Sequence, residues 1–144
     1  MLLGQKRAEK LSVPAASAQQ LEALKQRYEN PTLWDAFLHF LLLNHYQIPA
    51  AAIQRDFTQS ILPNADLQRV LIKVYREDSL ISEICEAMVD FDEGLQEWRY
   101  RHVKMVERTI GSKFGTGGSA GAAYLKTTLF QPLWPDLWEI RAEL

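Results

Sequence analysis

Five of the seven glycines in this 144-residue chain lie between Gly111 and Gly121, in the segment GSKFGTGGSAGAAYLKTT. Glycine allows a positive φ or a close approach of the backbone to a ligand. Residues 115–120 satisfy the dinucleotide pattern G-x-G-x-x-A, but that pattern is meaningful only between a strand and a helix, and a helical pattern precedes it here. The exposed N–H groups, with the hydroxyls of Thr116 and Ser119, could hold a small polar ligand or a carboxylate. The alternative is a flexible connection between two helices.

A second candidate for chemistry is His102, which shares a helical stripe with the apolar residues Leu95, Trp98, Met105 and Val106. The stripe predicts that the imidazole points toward the core, as an ordinary histidine with one hydrogen-bond partner or as a metal ligand. His39 and His45 lie six residues apart on another predicted helix, which disfavours a zinc site. A single imidazole in an apolar wall is instead typical of haem iron.

Cations are concentrated around this histidine. Between Arg99 and Lys113 there are five cations and only one anion, Glu107; the cations are Arg99, Arg101, Lys104, Arg108 and Lys113. These cations either form a solvated face that interacts favourably with the negative end of the helix dipole, or they are partners for the propionates of a haem.

Composition excludes several classes of function. The net charge is −2 and the pI is near 5.9, so a general affinity for nucleic acid is not expected. The single cysteine, Cys85, rules out an internal disulfide and favours a reducing compartment, so we expect a cytoplasmic protein. The start, MLLGQKRAEK, does not resemble a signal peptide, and the longest apolar stretch, FLHFLLL, is too short to cross a membrane.

The whole chain has helical periodicity, which predicts an all-α bundle of one domain over residues 1–144, with residues 1–16 loosely specified. Its main feature is a long central helix from Ser79 to about residue 110, with one apolar stripe that includes Leu80, Ile84, Cys85, Phe91, Trp98 and His102. Gly111 is the expected stop. Other helices are predicted over 17–29, from Asn30-Pro31 onward, after an Asn64 cap, over 122–130 and over 135–143.

The segment WRYRHVKMVERTIGSKFGTGGSAGAAYLKTTL, from Trp98 to Leu129, resembles the C-terminal signature of tryptophan 2,3-dioxygenase. It has the same order of an aromatic-Arg-aromatic-X-His segment, a V-E-R-X-I-G helix end and a G-T-G-G-S/T loop. NPTLWDAFLHFLL is similar to the family's P-S-L-Y-D-A-F stretch, and LWPDLWEIRAEL to its L-F-P-E-L-W ending. The resemblance covers most of the chain after Asn30 and implies the all-helical fold of the tryptophan and indoleamine dioxygenases.

The resemblance implies haem b as the cofactor, with His102 as the proximal iron ligand and Trp98 and Val106 beside the haem. Gly115 and Thr116 match the part of the loop that contacts the amino and carboxylate end of the substrate. The implied reaction inserts both atoms of O2 across the indole C2–C3 bond of L-tryptophan, or of a related indole, and gives N-formylkynurenine. Members of the family are haem-dependent homo-oligomers of the kynurenine pathway of tryptophan catabolism.

The family's N-terminal half supplies a distal histidine and an arginine that binds the substrate carboxylate. No such block precedes Asn30, and MLLGQKRAEKL looks like the family segment that follows that arginine. The resemblance therefore implies half of a dioxygenase site, which a separate N-terminal-half chain would complete. A non-catalytic haem-binding protein, or an oligomerisation module with an apolar stripe exposed where the other half packs, is the alternative. Ala120 and Ala122-Ala123 depart from the family pattern and leave the exact substrate open.

Overall fold

The computed structural model describes residues 18–111 and 122–144, and within these ranges it contains helices and no strand, which confirms the all-α prediction. No helix in these ranges combines the length and the apolar character that a bilayer crossing requires. The helices, in chain order, are α1 (Ala18–Glu29), α2 (Leu33–Leu43), α3 (Ala50–Ile53), α4 (Ala65–Glu77), α5 (Ser79–Ile110), α6 (Ala122–Lys126) and α7 (Pro135–Glu139), followed by a 3₁₀ turn (Ile140–Glu143).

The chain divides into two compact units, Met1–Val70 and Leu71–Leu144. The single domain expected over residues 1–144 stays a prediction. In the first unit the core is formed by α2, which packs with α3 and buries one apolar face: Trp34, Phe37, Leu38 and Leu41. α1 buries no side chain, and the Tyr28 hydroxyl donates a hydrogen bond to the Thr58 carbonyl at 2.9 Å.

The start of α2 differs from the prediction. Asn30-Pro31 was expected to cap the helix, but α2 begins at Leu33 with Thr32 in the capping position. The Asp35 carboxylate accepts hydrogen bonds from the backbone N–H and the hydroxyl of Thr32, at 2.7 and 2.6 Å. Asp35 is the acceptor in both bonds, so they tie the cap residue to the first turn of the helix and place a negative charge where the helix dipole favours one.

The guanidinium of Arg55, which follows α3 in the chain, completes this cap. Arg55 Nε and Nη2 donate to the two carboxylate oxygens of Asp35 at 2.7 and 2.6 Å, and the two side chains are only 14% and 5% exposed. Burial acts to raise the pKa of Asp35, but the hydrogen bonds from Arg55 and Thr32 together outweigh it, and the pKa lies below its ordinary value of 3.8. The ionised pair therefore stabilises the folded state.

Replacing Asp35 with asparagine is expected to lower the free energy of unfolding at pH 7 by about 2–3 kcal/mol, because Arg55 is left largely buried without its carboxylate. Because the folded pKa is depressed, this stabilisation is present above pH 3.8 and is lost as the pH falls through the folded value. Urea unfolding of both proteins between pH 7 and pH 2.5 measures the difference. Asp66→Asn, which breaks an exposed pair with Arg69, is the matched control and should change stability by less than about 1 kcal/mol. A gap between wild type and Asp35→Asn that persists undiminished at pH 2.5 would contradict this account.

α4 begins as predicted. Asn64 Oδ1 accepts hydrogen bonds from the backbone N–H groups of Asp66 and Leu67, both at 3.0 Å. The helix buries Leu67, Leu71 and Val74, whose spacing of four and three residues places them on one face. The sequence pattern was therefore sufficient for both the boundary and the buried face of this helix.

In the second unit, α5 packs with α6 and α7. Both of its ends are capped: the Asp78 side chain accepts from the Ile81 N–H at 3.0 Å, and Gly111 follows the last turn with φ of +62°. The predicted stop at Gly111 is confirmed, since a positive φ is where glycine is favoured. α5 buries the side chains of Ile81, Cys85, Met88, Val89, Asp92 and Val103.

The single apolar stripe predicted for α5 is wrong. Leu80, Phe91, Trp98 and Met105 were assigned to the core face, yet all four side chains are exposed. The predicted set contained adjacent pairs such as 80 and 81 or 84 and 85, and neighbours in a helix differ by about 100° in direction. The pattern thus merged two faces of α5, one that is buried and one that is apolar but exposed.

A buried carboxylate joins α5 to the end of the chain. Asp92 is fully buried, and its Oδ2 accepts from the backbone N–H of Leu133 at 2.8 Å and from Trp138 Nε1 at 2.9 Å. Oδ1 has no hydrogen-bond partner in the part of the chain that the structure describes. The two bonds span 41 and 46 residues and hold the segment around α7 against the long helix.

Candidate functional site

His102 lies in the C-terminal half of α5 and stacks on the ring of Trp98, one turn earlier. The ring centroids are 5.2 Å apart and the planes differ by 4°. The imidazole is half-buried, and neither of its nitrogens has a hydrogen-bond partner in the described ranges. A core histidine, the alternative considered above, would be buried and hydrogen-bonded. This ring is neither, so the prediction that it points into the core is wrong.

The three residues expected beside a haem share one face of α5, since Trp98, His102 and Val106 are four residues apart. Trp98 is exposed and Val106 half-buried, and the exposed side chain of Met105 adjoins them along the helix. The structure thus brings the predicted ligand and its two predicted neighbours together on an accessible, largely apolar surface.

The donor set of this surface fits a haem. Among the described residues no group of three or more His, Cys, Asp or Glu side chains could hold a metal ion. Haem iron needs only one axial imidazole from such a wall. Cys85 is an unsuitable thiolate ligand, because burial raises its pKa to about 12. His102, with both nitrogens available beside apolar side chains, is therefore the ligand that this surface offers.

The cations near His102 have other partners. Arg101 pairs with Glu97 at 2.5 Å, and Lys104 pairs with Glu107 at 3.0 Å. Arg99 Nη1 donates to the backbone carbonyls of Thr128 and Gln131, at 3.3 and 2.7 Å, respectively. Lys113 lies outside the described residues, which leaves Arg108 as the cation of this group without a partner within them. Most of the cluster is therefore already paired within the chain.

Two of these contacts join α5 to the segment that follows residues 112–121. Lys126 at the end of α6 reaches Glu107 at 2.5 Å, and the bonds from Lys126 and Lys104 lower the pKa of Glu107. Arg99 binds the carbonyls just beyond α6. The helices on either side of residues 112–121 are thus tied to each other at two levels. The sequence pattern gave no signal for either tie, because the partners are separated by 19 to 32 residues.

The glycine-rich segment that carries Gly115 and Thr116, the two residues expected to contact substrate, lies outside the described residues. Their assignment to a substrate site stays a prediction.

Comparison with known proteins was decisive for the family. The sequence model of the tryptophan 2,3-dioxygenase family matches residues 6–144. A tryptophan 2,3-dioxygenase from Herpetosiphon aurantiacus is 61% identical over 123 residues, which cover 85% of this chain and 47% of the relative. Proteins of the same name from Anaeromyxobacter dehalogenans and Paraburkholderia phytofirmans are 53% and 38% identical, over 79% and 99% of this chain and 43% and 48% of their own. The chain spans about half the length of these relatives, and it belongs to the tryptophan 2,3-dioxygenase family.

Proposed function

We propose that this chain forms the proximal half of a haem-dependent tryptophan 2,3-dioxygenase site. Haem b would be bound through His102, with Trp98 and Val106 against it, and L-tryptophan or a related indole would be converted to N-formylkynurenine with O2. The observation that carries the proposal is His102 itself. In a chain of this family, it lies on an accessible apolar face, and no described residue forms a hydrogen bond with either of its nitrogens.

The residues of this chain would mainly bind and orient. The indole of Trp98 supports one face of the imidazole and limits its rotation. Gly115 and Thr116 are proposed to receive the amino and carboxylate groups of the substrate through backbone N–H groups and a hydroxyl. Haem, when bound, supplies the redox chemistry by which O2 enters the indole ring. Orientation of substrate beside it can contribute about 7–11 kcal/mol in favourable cases.

The site is proposed to need a second half. The resemblance assigns the distal histidine and the carboxylate-binding arginine to a region of the family that matches nothing in this chain. A separate N-terminal-half chain would supply them, in a cytoplasmic homo-oligomer. We therefore expect this chain alone to bind haem without turning over tryptophan.

A haem titration of the purified chain, followed at the Soret band, tests the proposal. Saturable uptake is expected. The chain co-produced with the part of the H. aurantiacus relative that its match leaves uncovered should, after reduction, respond spectrally to L-tryptophan and form N-formylkynurenine in the presence of O2. No uptake in either preparation would overturn the haem site. Uptake with no tryptophan response and no product in the combined preparation would overturn the dioxygenase assignment.

The exposed apolar side chains of α5 favour a second candidate, an assembly module that binds haem without catalysis or does not bind it. Apolar surface of this extent marks an interaction site in soluble proteins. The same titration separates the two, because the second candidate predicts no effect of tryptophan on the spectrum.

A further inference from the structure

One face of α5 carries large apolar side chains that the described residues leave exposed. We call it the exposed stripe; it consists of Leu80, Ile84, Phe91, Trp98 and Met105, which are 73%, 40%, 61%, 58% and 55% exposed. From Ile84 onward its members recur at intervals of seven residues. A strict seven-residue repeat keeps an apolar seam facing a partner helix that winds around it with a left-handed twist.

Small residues alternate with the large ones along this seam. Ala87 and Gly94 follow Ile84 and Phe91 by three residues, as the second apolar position of a heptad does. A Cβ added to Gly94 would meet no atom within 4 Å, so this part of the helix is open. The arrangement leaves space for the side chains of a partner between the large ones. Residues 84–105 extend about 33 Å, the length of a partner helix of about 20 residues.

Charge beside the stripe limits the chemistry of that partner. Glu83 and Asp90, each one residue before a stripe position on the first half of α5, are exposed and have no ion pair among the described residues. A partner helix is therefore expected to carry Lys or Arg beside its own apolar seam.

A second copy of the chain fits this pattern poorly. Parallel pairing of two copies of α5 would bring acids opposite acids. Antiparallel pairing would bring these acids near the C-terminal half of the second copy's α5, where Arg101 and Lys104 are already bound to Glu97 and Glu107. The family relatives, by contrast, are about twice as long as this chain, so each contains a further region of similar length.

We propose that the exposed stripe is the docking surface for a helix from the half of the tryptophan 2,3-dioxygenase relatives that this chain does not span, an amphipathic helix of about 20 residues with basic flanks. The inference rests on the proposed function in that the same half would complete the site at His102. The contact itself does not need haem, because Phe91 and Ile84 lie about three and five helical turns from the histidine. Docking and haem binding can therefore fail independently.

The test is co-production, without added haem, of the tagged full chain and the uncovered part of the H. aurantiacus relative. The complex is expected to co-purify at a 1:1 ratio. Sedimentation equilibrium should show dissociation that is about ten- to a hundredfold easier for Phe91→Glu and for Ile84→Glu. Phe130→Glu, which changes an exposed phenylalanine outside the stripe, is the matched control and should bind like wild type.

The two stripe variants guard against different artefacts. Phe91 also lies 6.1 Å from the buried ring of Trp134, so Phe91→Glu could disturb packing, whereas Ile84 has no such ring contact. Wild-type binding by both variants, or failure of the wild-type halves to co-purify, would overturn the proposal. Self-association of the chain that both variants abolish, with no binding of the other half, would assign the stripe to a second copy instead.

Discussion

Substitution of His102 by alanine is expected to abolish saturable haem uptake, with no Soret band above that of haem in buffer. The reason is that the imidazole is the one coordinate bond that this wall would contribute to haem iron. The ring is half-buried and makes no hydrogen bond in the described ranges, so its removal should leave the fold intact. Titration of both proteins, with circular dichroism to verify helix content, measures the effect.

Two controls sharpen the interpretation. His39→Ala removes an exposed imidazole on α2 and should take up haem like wild type. In His102→Gly, free imidazole can enter the vacated space and should restore part of the uptake, at a cost of about 1 kcal/mol in helix stability. If His102→Ala binds haem as tightly as wild type, the ligand is another residue and the proposed function loses its supporting observation.

Asp92→Ala is expected to lower the free energy of unfolding by about 3–5 kcal/mol, the largest effect on stability that we expect. The substitution leaves the Leu133 N–H and the Trp138 indole N–H buried without their acceptor, and each such group costs about 1–3 kcal/mol. A cavity adds to the loss. The segment around α7 should loosen first, because Asp92 is its polar attachment to α5.

Urea unfolding followed by tryptophan fluorescence measures this loss, since Trp138 lies at the altered site. Glu93→Ala removes the neighbouring, exposed carboxylate and should change stability by no more than about 0.5 kcal/mol. Asp92→Asn retains one acceptor oxygen, so its loss of stability should lie between those of Glu93→Ala and Asp92→Ala. A loss below about 1 kcal/mol in Asp92→Ala would show that water or backbone shifts replace the carboxylate.

The helices were predictable because their signals are local. Asn64 caps α4, Gly111 ends α5, and apolar residues three and four apart mark the buried faces. The same reasoning was insufficient for the long helix α5. Apolar residues there also lie on a face that the described chain does not bury, and periodicity alone cannot distinguish a core face from a docking surface. The cap of α2 was misplaced because Thr32 derives its advantage from Asp35 and from Arg55, which lies 23 residues after Thr32.

The candidate site was less predictable than the helices. Spacing alone singled out His102 but gave it the wrong environment, and only the resemblance assigned it to haem. Asp92 was not anticipated, since aspartate is rarely buried and its partners lie 41 and 46 residues away. The ties made by Arg99 and Glu107 were hidden for the same reason, because long-range polar contacts leave no periodic trace in a sequence.

The stack of His102 on Trp98 has a consequence for affinity. Two rings whose planes differ by only 4° restrict each other's side-chain torsions before anything binds. A ligand that requires one orientation of the imidazole would therefore lose little rotational entropy in fixing it, where an unsupported side chain would cost about 0.5–1.5 kcal/mol. Trp98 would thus act by preorganisation, improving the affinity of its neighbour without touching the metal.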